Sequence, residues 1–391
     1  MKALLTALGN PEGGFSAIQI AGTNGKGSTA VMIASILEEA GYAVGLYTSP
    51  HLEDERERVQ IWDGIRRMID RSEFDDLMSR AREAASSVEA EYGRATVFEI
   101  YTAAAYLYFA EQKPDYVVLE CGLGGRLDST NTLERPLASV IAQIGLDHTA
   151  LLGDNIEQIA WEKAGIIKPG VPVVSQTSNE EARRVLRETA ENLGTEFIDA
   201  SEHEGEFASY DLAMRGRHQI RNAATAVLAV RAAGIEVSDD AVENGLANAY
   251  LPGRFEIISE EPCIIIDGAH NPDAVEVLID TFSEYLSSKN AIKPLVIFGC
   301  MKDKNHFDMI KSLAEKLPSC DFMSVAVAYD RAEDPEVIRE EFISQGCDCT
   351  AALNVREACE YAAASGCDCM LVTGSIYLAG EMRSLLRNNM L

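Results

Sequence analysis

A glycine-rich stretch near the start of the chain has the residue types of a phosphate-binding loop. In IAGTNGKGSTA, residues 20–30, Lys26 lies between Gly25 and Gly27, and Ser28 follows. Small residues allow successive backbone N–H groups to point at one anion, and a lysine adds a positive charge. A helix that begins at this point adds the positive end of its dipole. The stretch therefore predicts a loop that binds the phosphates of a nucleotide.

The spacing of this loop differs from that of the common nucleotide-binding motif. The Walker pattern is G-x-x-x-x-G-K-[ST], whereas Ile20 occupies the first glycine position here and Gly27 separates Lys26 from Ser28. A glycine-rich turn without a ligand is the alternative, and a lysine enclosed by glycines between a strand and a helix argues against it. The sequence contains no N-K-x-D segment for guanine recognition. A switch GTPase therefore loses its main support.

Polar residues follow three apolar, strand-like runs. Glu120 ends YVVLE, Ser49 follows AVGLYT, and Asp147 and His148 come just after SVIAQI. The carboxyl ends of parallel strands meet at one edge of a sheet, where ligands bind. A carboxylate at that edge suits Mg²⁺ beside phosphates. Ser49 could offer its hydroxyl to a metal or a substrate, but alone it fits an ordinary strand-ending turn equally well.

Chemistry-bearing residues also occur later in the chain. Lys163 follows His148 by fifteen residues, in a helical stretch with an apolar face. Its spacing alone favours an ordinary lysine over a perturbed amine beside a metal and phosphates. Asp267 and His270 follow another strand-like run, and Arg254 precedes that run. An arginine from a second lobe is one way to stabilise the charge of a transferring phosphoryl group.

Apolar strand-like runs alternate with helical stretches along the whole chain, which is typical of βα units and parallel sheets. The predicted strands are 17–21, 43–48, 116–120, 139–144 and 171–175, then 263–267, 295–299, 322–327 and 370–373. The predicted helices of the first part are 27–40, 72–92, 96–111, 155–167, 219–233 and 238–249. Pro252-Gly253 is the strongest turn signal between the two series. Two α/β domains are therefore predicted, with the nucleotide held by the first.

Composition narrows the class of function. A chain of 391 residues exceeds one ordinary core, which also predicts two domains. Its net charge of −28 argues against nucleic acids and anionic membranes as partners. No apolar run approaches the roughly 18 residues of a membrane span, and the N-terminal residues lack a signal-peptide cleavage site. We therefore expect a cytoplasmic protein.

The nine cysteines form an odd number scattered over a long chain, which predicts reduced thiols. Gly-Cys-Asp-Cys occurs twice, at 346–349 and 366–369. Two such pairs could form a zinc site, although zinc motifs usually separate the cysteines by two or more residues. The alternative, which we favour, is that each pair lies where a helix ends at glycine and a strand begins.

Taken in order, the motifs resemble those of the folylpolyglutamate synthase/dihydrofolate synthase family, within the Mur ligase superfamily. The matching segments run from residue 8 to residue 381 and are LGNPE, AGTNGKGS, TSPHL…ERV, TVFEIYTAAA, LECGLGGRLDSTN, IGLDH…EKAGIIK, NAATA, LPGRFE, DGAHNP and TGSIYLAGE. The resemblance implies an N-terminal P-loop-type parallel-sheet ATPase domain, residues 1–251. It also implies a smaller, Rossmann-like α/β C-terminal domain, residues 252–391, which carries the glutamate-ligase function.

The resemblance implies an amide-forming reaction. ATP would phosphorylate a folate carboxylate, and the amine of L-glutamate would attack the acyl phosphate, releasing phosphate and ADP. Mg²⁺ and basic groups would offset the repulsion between the two anions. The implied partners are folate or dihydropteroate and L-glutamate, the implied cofactors are ATP and Mg²⁺, and the protein is expected to be a monomer.

The resemblance also assigns roles to individual residues. The nucleotide would be held by Asn24, Gly25, Lys26, Gly27, Ser28, Asn222, Arg254 and Asp267. The metal would be held by Ser28, Ser49, Glu120 and His148. Lys26, Lys163 and His270 would be catalytic, with Lys163 carbamylated by CO₂ so that its cation becomes an anion. The folate would contact Phe98 and Asp128, and Ser375 would contact the incoming glutamate.

Three features depart from the family pattern. The segment before the phosphate loop is short, and Glu53, Asp54 and Glu55 make LEDERERV more acidic than usual, which could weaken polyglutamate binding. Asn305 replaces a common aspartate, so that site is not carried over. One alternative function is a Mur-type ligase acting on a different carboxylate. Another is a catalytically weak nucleotide-binding module, but such a module would not be expected to retain the metal residues that this chain has.

Overall fold

The chain forms two compact α/β units in a computed structural model, which describes residues 1–289 and 291–390. The first unit comprises residues 1–213 and 219–250, and the second comprises residues 214–218 and 251–391. The sequence analysis divided the chain between residues 251 and 252. It did not assign the short segment 214–218 to the second unit.

An eight-stranded sheet organises the first unit. Its strands are β1 (Ala17–Ala21), β2 (Val44–Tyr47), β3 (Val59–Trp62), β4 (Arg66–Met68), β5 (Tyr116–Glu120), β6 (Ala138–Ile141), β7 (Val173–Ser175) and β8 (Phe197–Asp199). Their order is β4-β3-β2-β5-β1-β6-β7-β8, with antiparallel pairing only at β4-β3 and β3-β2 among the described residues. The parallel strands β2, β5, β1 and β6 therefore end at a common edge.

Ten α-helices connect and cover these strands in the described part of the first unit. They are α1 (Lys2–Ala7), α2 (Lys26–Glu39), α3 (Arg71–Tyr92), α4 (Val97–Gln112), α5 (Thr149–Leu152), α6 (Ile156–Lys163), α7 (Glu180–Asn192), α8 (Glu204–Phe207), α9 (His218–Ala232) and α10 (Asp239–Asn248). Several begin at a side-chain cap: Thr96 accepts the N–H of Glu99 in a capping box, and Asn155 accepts that of Gln158. Such caps satisfy N–H groups that have no acceptor within the helix.

A six-stranded sheet forms the second unit. Its strands are β9 (Glu256–Glu260), β10 (Cys263–Ile266), β11 (Pro294–Phe298), β12 (Asp321–Val325), β13 (Cys349–Ala352) and β14 (Cys369–Thr373), in the order β13-β12-β11-β14-β10-β9. In the described part of this unit, only β9 is antiparallel to its neighbour. The helices are α11 (Pro272–Lys289), α12 (His306–Lys316), α13 (Pro335–Ser344), α14 (Val355–Ser365) and α15 (Ile376–Met390).

The predicted α/β architecture is confirmed, and the differences have local causes. The predicted strand 139–144 ends at Ile141 instead, because the Gln143 carbonyl leaves the sheet and accepts the N–H groups of Thr23 and Asn24. The predicted helix 155–167 stops at Lys163 and continues as a 3₁₀ turn, Ala164–Ile166. Strands β3, β4, β8, β9 and β13 were not predicted. They are three to five residues long and carry polar or charged side chains, which weakens the apolar signal of a strand.

Both Gly-Cys-Asp-Cys segments lie where a helix precedes a strand, as the preferred interpretation predicted. Gly346 and Gly366 have φ of +84° and +69°, and Cys349 and Cys369 begin β13 and β14. Within residues 1–289 and 291–390, no three His, Cys, Asp or Glu side chains form a group that could hold a metal ion. No helix in the same residues has the length and apolar character to cross a membrane.

The core of the first unit predicts a large effect for truncation of Phe109. This side chain is fully buried in α4 and meets Phe15 edge-on, with 5.9 Å between ring centroids. Replacing a buried phenylalanine by alanine leaves a cavity, so Phe109→Ala should lower the free energy of unfolding by about 3–5 kcal/mol. Urea denaturation followed by circular dichroism measures this. Val97→Ala, on the exposed start of the same helix, should change it by less than about 0.5 kcal/mol. Equal effects of both changes would contradict the packing described.

Candidate active site

The phosphate loop joins β1 to α2 at the carboxyl edge of the first sheet. Helix α2 begins at Lys26, and Gly25 before it has a φ of +86°. A Cβ atom on Gly25 would lie 2.7 Å from Asn222 Oδ1, so only glycine fits this close approach. The first N–H groups of a helix have no acceptor within it and point outward, where they suit an anion. The structure thus places the predicted loop residues 24–28 around a helix N-terminus.

Two lysine side chains converge on one carbonyl of this loop. Lys26 Nζ donates to the carbonyl oxygens of Gly22 and Thr23 at 3.2 and 3.1 Å. Lys163 Nζ donates to the same Gly22 carbonyl at 2.8 Å. Lys163 is the last residue of α6 and is only 2% exposed. The expectation from spacing alone, an ordinary lysine, is therefore wrong, because the helix carries the amine inward to the phosphate loop.

Burial and the neighbouring charge of Lys26 perturb this amine. Together they lower the pKa of Lys163 from its ordinary 10.5 to about 7, against the opposing charges of Asp147 and Asp128. Removal of an ammonium from water disfavours its charged form, and a like charge nearby adds to that effect. A substantial fraction of Lys163 is therefore a neutral, nucleophilic amine near neutral pH.

Two glycine-containing segments fix the position of Lys163. Arg126 N donates to the Glu162 carbonyl at 2.7 Å, and the Arg126 guanidinium stacks on Trp161 at 3.6 Å from the ring centroid. A Cβ atom on Gly165 would lie 2.3 Å from the Arg126 Cα atom. The loop after β5 and the end of α6 therefore touch backbone to backbone, which explains why both segments need glycine.

Glu120 and Ser49 meet beside the phosphate loop. Glu120 ends β5, pairs in register with Ile20 of β1, and is 4% exposed. Its Oε2 atom accepts the Ser49 backbone N–H at 3.1 Å, and Ser49 follows the neighbouring strand β2. A buried carboxylate at this edge, next to a serine hydroxyl, is a donor set for a hard cation.

His148 lies on the loop that follows β6. Thr23 ties this loop to the phosphate loop, since its Oγ1 atom donates to the Gly145 carbonyl at 3.0 Å and accepts the Gly145 N–H at 3.1 Å. His148 has a φ of +50°, its N–H donates to Asp147 Oδ1 at 2.8 Å, and its side chain is 40% exposed. The imidazole therefore belongs to a loop that is anchored at the site, while Asp147 acts on Lys163 electrostatically.

Asn222 is buried in α9 within a chain of amide hydrogen bonds that sequence reasoning missed. Its Oδ1 atom accepts from Gln176 Nε2 at 2.8 Å and from Thr29 Oγ1 at 3.4 Å, and its Nδ2 atom donates to Gln219 Oε1 at 2.8 Å. Gln176 follows β7 at the carboxyl edge of the sheet. The rule that singled out Glu120, a polar residue just after a buried strand, would have identified it.

Phe98 and Asp128 both contact the glycine-rich loop after β5. The Phe98 ring lies against the backbone of Gly122. Asp128 Oδ2 accepts the Leu123 N–H at 2.8 Å, and Oδ1 accepts the N–H and hydroxyl of Thr130 at 2.9 and 2.7 Å. Burial raises the pKa of Asp128 despite these donors. The structure thus brings the two predicted folate-contacting residues to one loop.

The acidic cluster after Ser49 is largely compensated. Asp54 pairs with Arg56 and Arg71 at 2.9 and 3.0 Å. Glu55 pairs with Arg71 at 2.8 Å and accepts the Tyr101 hydroxyl at 2.5 Å. Two of the three carboxylates that could weaken polyglutamate binding therefore hold the loop together through arginines.

Asp267, His270 and Ser375 lie at the carboxyl edge of the second sheet. Asp267 follows β10 and Ser375 follows the adjacent parallel strand β14. The Asp267 carboxylate accepts the N–H groups of Phe255 and Ala269 at 2.7 and 2.8 Å. The pKa of Asp267 is raised by burial and lowered by Arg254, with burial the stronger effect.

The other predicted residues of this unit lie close by. His270 Nδ1 lies 2.9 Å from the Gly268 carbonyl, and Ser375 is 2% exposed. Asn305, which was not carried over, caps α12.

The lowered pKa of Lys163 predicts how stability varies with pH. Between pH 7 and about 10.5 the unfolded chain holds a proton that the folded chain has released, so the free energy of unfolding rises with pH in this window. Relative to Lys163→Met, the wild type should gain about 2–3 kcal/mol between about pH 7.5 and about pH 9.5. Urea denaturation in CO₂-free buffer measures the difference. Parallel pH curves for the two proteins would show that the amine is not perturbed.

Comparison with known proteins identifies the family. Residues 20–230 match the Mur ligase middle domain, and residues 253–376 match the glutamate ligase domain of Mur ligases. The dihydrofolate synthase/folylpolyglutamate synthase of Bacillus subtilis is 37% identical, over 99% of this chain and 94% of the relative.

Two solved structures extend the similarity to the fold. E. coli FolC in complex with DHPP and ADP has a TM-score of 0.85 at 29% identity, covering 100% of this chain and 93% of that one. The bifunctional folylpolyglutamate synthase/dihydrofolate synthase of Yersinia pestis, complexed with AMPPNP and Mn ion, has a TM-score of 0.85 at 27% identity, covering 99% and 92%. The chain therefore belongs to the folylpolyglutamate synthase/dihydrofolate synthase family of Mur ligases and is an ATP-dependent ligase.

Proposed function

We propose that this ligase joins L-glutamate to a folate carboxylate through an acyl phosphate, with Mg²⁺ as its metal. The observation that carries the proposal is the convergence of three features at one sheet edge. These are the helix N-terminus at Lys26, the buried Glu120 carboxylate, and the buried Lys163 amine on the Gly22 carbonyl. Together they form a site for phosphates and a cation beside a reactive amine.

The phosphate loop would hold the nucleotide, as ADP and AMPPNP are held by the related enzymes. Backbone N–H groups at the start of α2 and the Lys26 ammonium supply positive charge at fixed positions. Asn222 packs against Gly25 and is itself fixed by Gln176. A loop held by these contacts would present the γ-phosphate in a defined position to the folate carboxylate. The contacts of Arg254 and Asp267 with the nucleotide stay predictions from the family resemblance.

The donor set at the first sheet edge fits Mg²⁺. Mg²⁺ would be held by the Glu120 carboxylate, the hydroxyls of Ser28 and Ser49, and the His148 imidazole. The related Yersinia enzyme was solved in complex with Mn ion. A hard divalent cation prefers oxygen ligands. When bound, it would offset the charges of the phosphoryl group and of the attacking carboxylate. Because Ser49 N–H donates to Glu120 at 3.1 Å, the carboxylate keeps a fixed orientation.

The perturbed Lys163 amine fits the carbamylation that the resemblance implies. Its neutral form, which has already released one proton, would attack CO₂. An N–C bond would form as one C–O π bond opens, and a second proton would leave, so that the original cation becomes a carbamate anion. An anion here would no longer repel Lys26 and would support the cation site beside the phosphate loop. Burial supplies what this step needs, since it lowers the pKa of the amine to about 7.

Folate or dihydropteroate is the proposed acceptor, and L-glutamate the proposed amine. Phe98 offers an aromatic ring beside Gly122, and Asp128 is fixed on the same loop. The E. coli relative binds DHPP. His270 and Ser375 would act on the glutamate side. A ligase for another carboxylate, the alternative, would use the same phosphate and metal residues. A monomeric state and a cytoplasmic location stay predictions.

The identity of the acceptor is tested by phosphate release. We expect turnover with ATP, L-glutamate, Mg²⁺ and either dihydropteroate or tetrahydrofolate, and no turnover when the acceptor is omitted. Mass spectrometry should find the acceptor heavier by one glutamyl residue. A matched panel replaces the pterin acceptor by UDP-linked muramoyl peptides and simple aromatic carboxylates. Turnover only with these would contradict the folate assignment while leaving the ligase class intact.

Replacement of Lys163 separates catalysis from folding. Lys163→Ala should lower kcat by about 10–100-fold, because the support of the cation site is lost. The midpoint temperature of thermal unfolding should not show a correspondingly large fall, because the substitution removes an amine whose burial costs free energy. Lys113→Ala, on the surface of the same unit, is the matched control and should retain full kcat. Wild-type turnover by Lys163→Ala would rule out the carbamate role.

A further inference from the structure

A buried ion pair in the second unit joins its first strand to its last helix. Arg383 Nε in α15 donates to both carboxylate oxygens of Glu256 in β9, at 2.9 Å each. The two side chains are 8% and 5% exposed. Burying two charges costs desolvation energy, so such a pair is weak evidence for stability in itself. A buried ion pair more often fixes a particular conformation of the chain. The neighbouring contacts show which conformation this pair fixes.

The same carboxylate closes the turn that contains Arg254. Glu256 Oε2 also accepts the Gly253 N–H at 2.8 Å, and Gly253 has a φ of +70°. The carboxylate therefore fixes the backbone of the residue that precedes Arg254. Loss of Arg383 would remove a buried charge that holds the Glu256 side chain in this orientation.

Phe255 shows that the turn needs this support. Its φ is +43°, a left-handed conformation that is uncommon for a bulky side chain and persists only when the surroundings enforce it. Its N–H donates to Asp267 Oδ2 at 2.7 Å, and its ring is 5% exposed. Two carboxylates, Glu256 and Asp267, thus hold one strained turn from opposite ends.

The turn presents the Arg254 guanidinium over the loop that carries Asp267, another predicted nucleotide residue. A Cβ atom on Gly268 would lie 2.7 Å from Arg254 Nη1, and Gly268 N donates to the Gly253 carbonyl at 2.9 Å. The same Cβ atom would lie 2.6 Å from Ile376 Cδ1, at the start of α15. The helix that supplies Arg383 therefore also borders the guanidinium.

We propose that Arg383 is a positioning residue, which acts through Glu256 and the turn at Gly253 to set the orientation of the Arg254 guanidinium. The proposal rests on the assignment of Arg254 to the nucleotide under the proposed function. Arg383 lies outside every segment that carried the family resemblance, because the last of those segments ends at residue 381. A purely structural ion pair is the alternative, and it would change stability without changing nucleotide affinity selectively.

Steady-state kinetics of a double-mutant cycle test the proposal. Arg383→Met should raise the KM for ATP about tenfold and leave the KM for glutamate within about twofold. Arg383→Lys, which keeps the charge but not the planar fork, should raise the KM for ATP about threefold. In an Arg254→Ala background, Arg383→Met should raise the KM for ATP by less than about twofold, because the guanidinium that Arg383 positions is absent. All assays are run at a temperature where circular dichroism shows each variant folded.

A matched control removes a different ion pair from the same unit. Lys316 in α12 pairs with Glu276 in α11, away from the turn, and Lys316→Met should leave the KM for ATP unchanged. The positioning role would be overturned if folded Arg383→Lys had an unchanged KM for ATP. It would also be overturned if Arg254→Ala and Arg383→Met raised the KM for ATP by factors that simply multiply in the double variant. If Arg254→Ala itself left the KM for ATP unchanged, the nucleotide assignment of Arg254 would be wrong, and the positioning role would fall with it.

Discussion

The Gly22 carbonyl, shared by the ammonium groups of Lys26 and Lys163, is the contact on which the site of the first unit depends. Burial, and then the like charge of Lys26 at the same oxygen, lower the pKa of Lys163 to about 7. Lys163 can reach this point only because α6 ends against the glycine-rich loop after β5, with Arg126 bonded to the Glu162 carbonyl. The perturbed amine is thus a product of backbone packing, and the chemistry proposed for it follows from that packing.

Several carboxylates of the candidate site serve as fixed acceptors of backbone N–H groups. Glu120 holds Ser49, Asp128 holds Leu123 and Thr130, and Asp267 holds Phe255 and Ala269. Each lies at the carboxyl edge of a sheet or on a loop that follows one. A carboxylate that organises its own loop has a defined orientation before any ligand arrives, which lowers the reorganisation needed for binding. The same reasoning extends to Glu256, which Arg383 fixes in turn.

Much of this architecture was predictable from local sequence. Strand β1 and strand β5 were predicted with their observed bounds, because each is a short, largely apolar run, AIQIA and YVVLE. Short strands such as β4, with exposed arginines, were missed because tertiary pairing defines them rather than residue pattern. Within the site, Glu120 was identified by its place after a buried strand. Gln176 obeys the same rule and was overlooked, since a glutamine is a weaker chemical signal than a carboxylate.

The sequence by itself determined the two α/β units, the phosphate loop and the family, because strand periodicity, glycine spacing and the motif order are local properties of the chain. Only the tertiary structure decided the state of Lys163, the compensation of Asp54 and Glu55 by Arg56 and Arg71, and the pairing of Arg383 with Glu256. These features depend on the distance between residues far apart in the chain and on their removal from water. Both quantities are fixed only when the packed backbone brings the groups together.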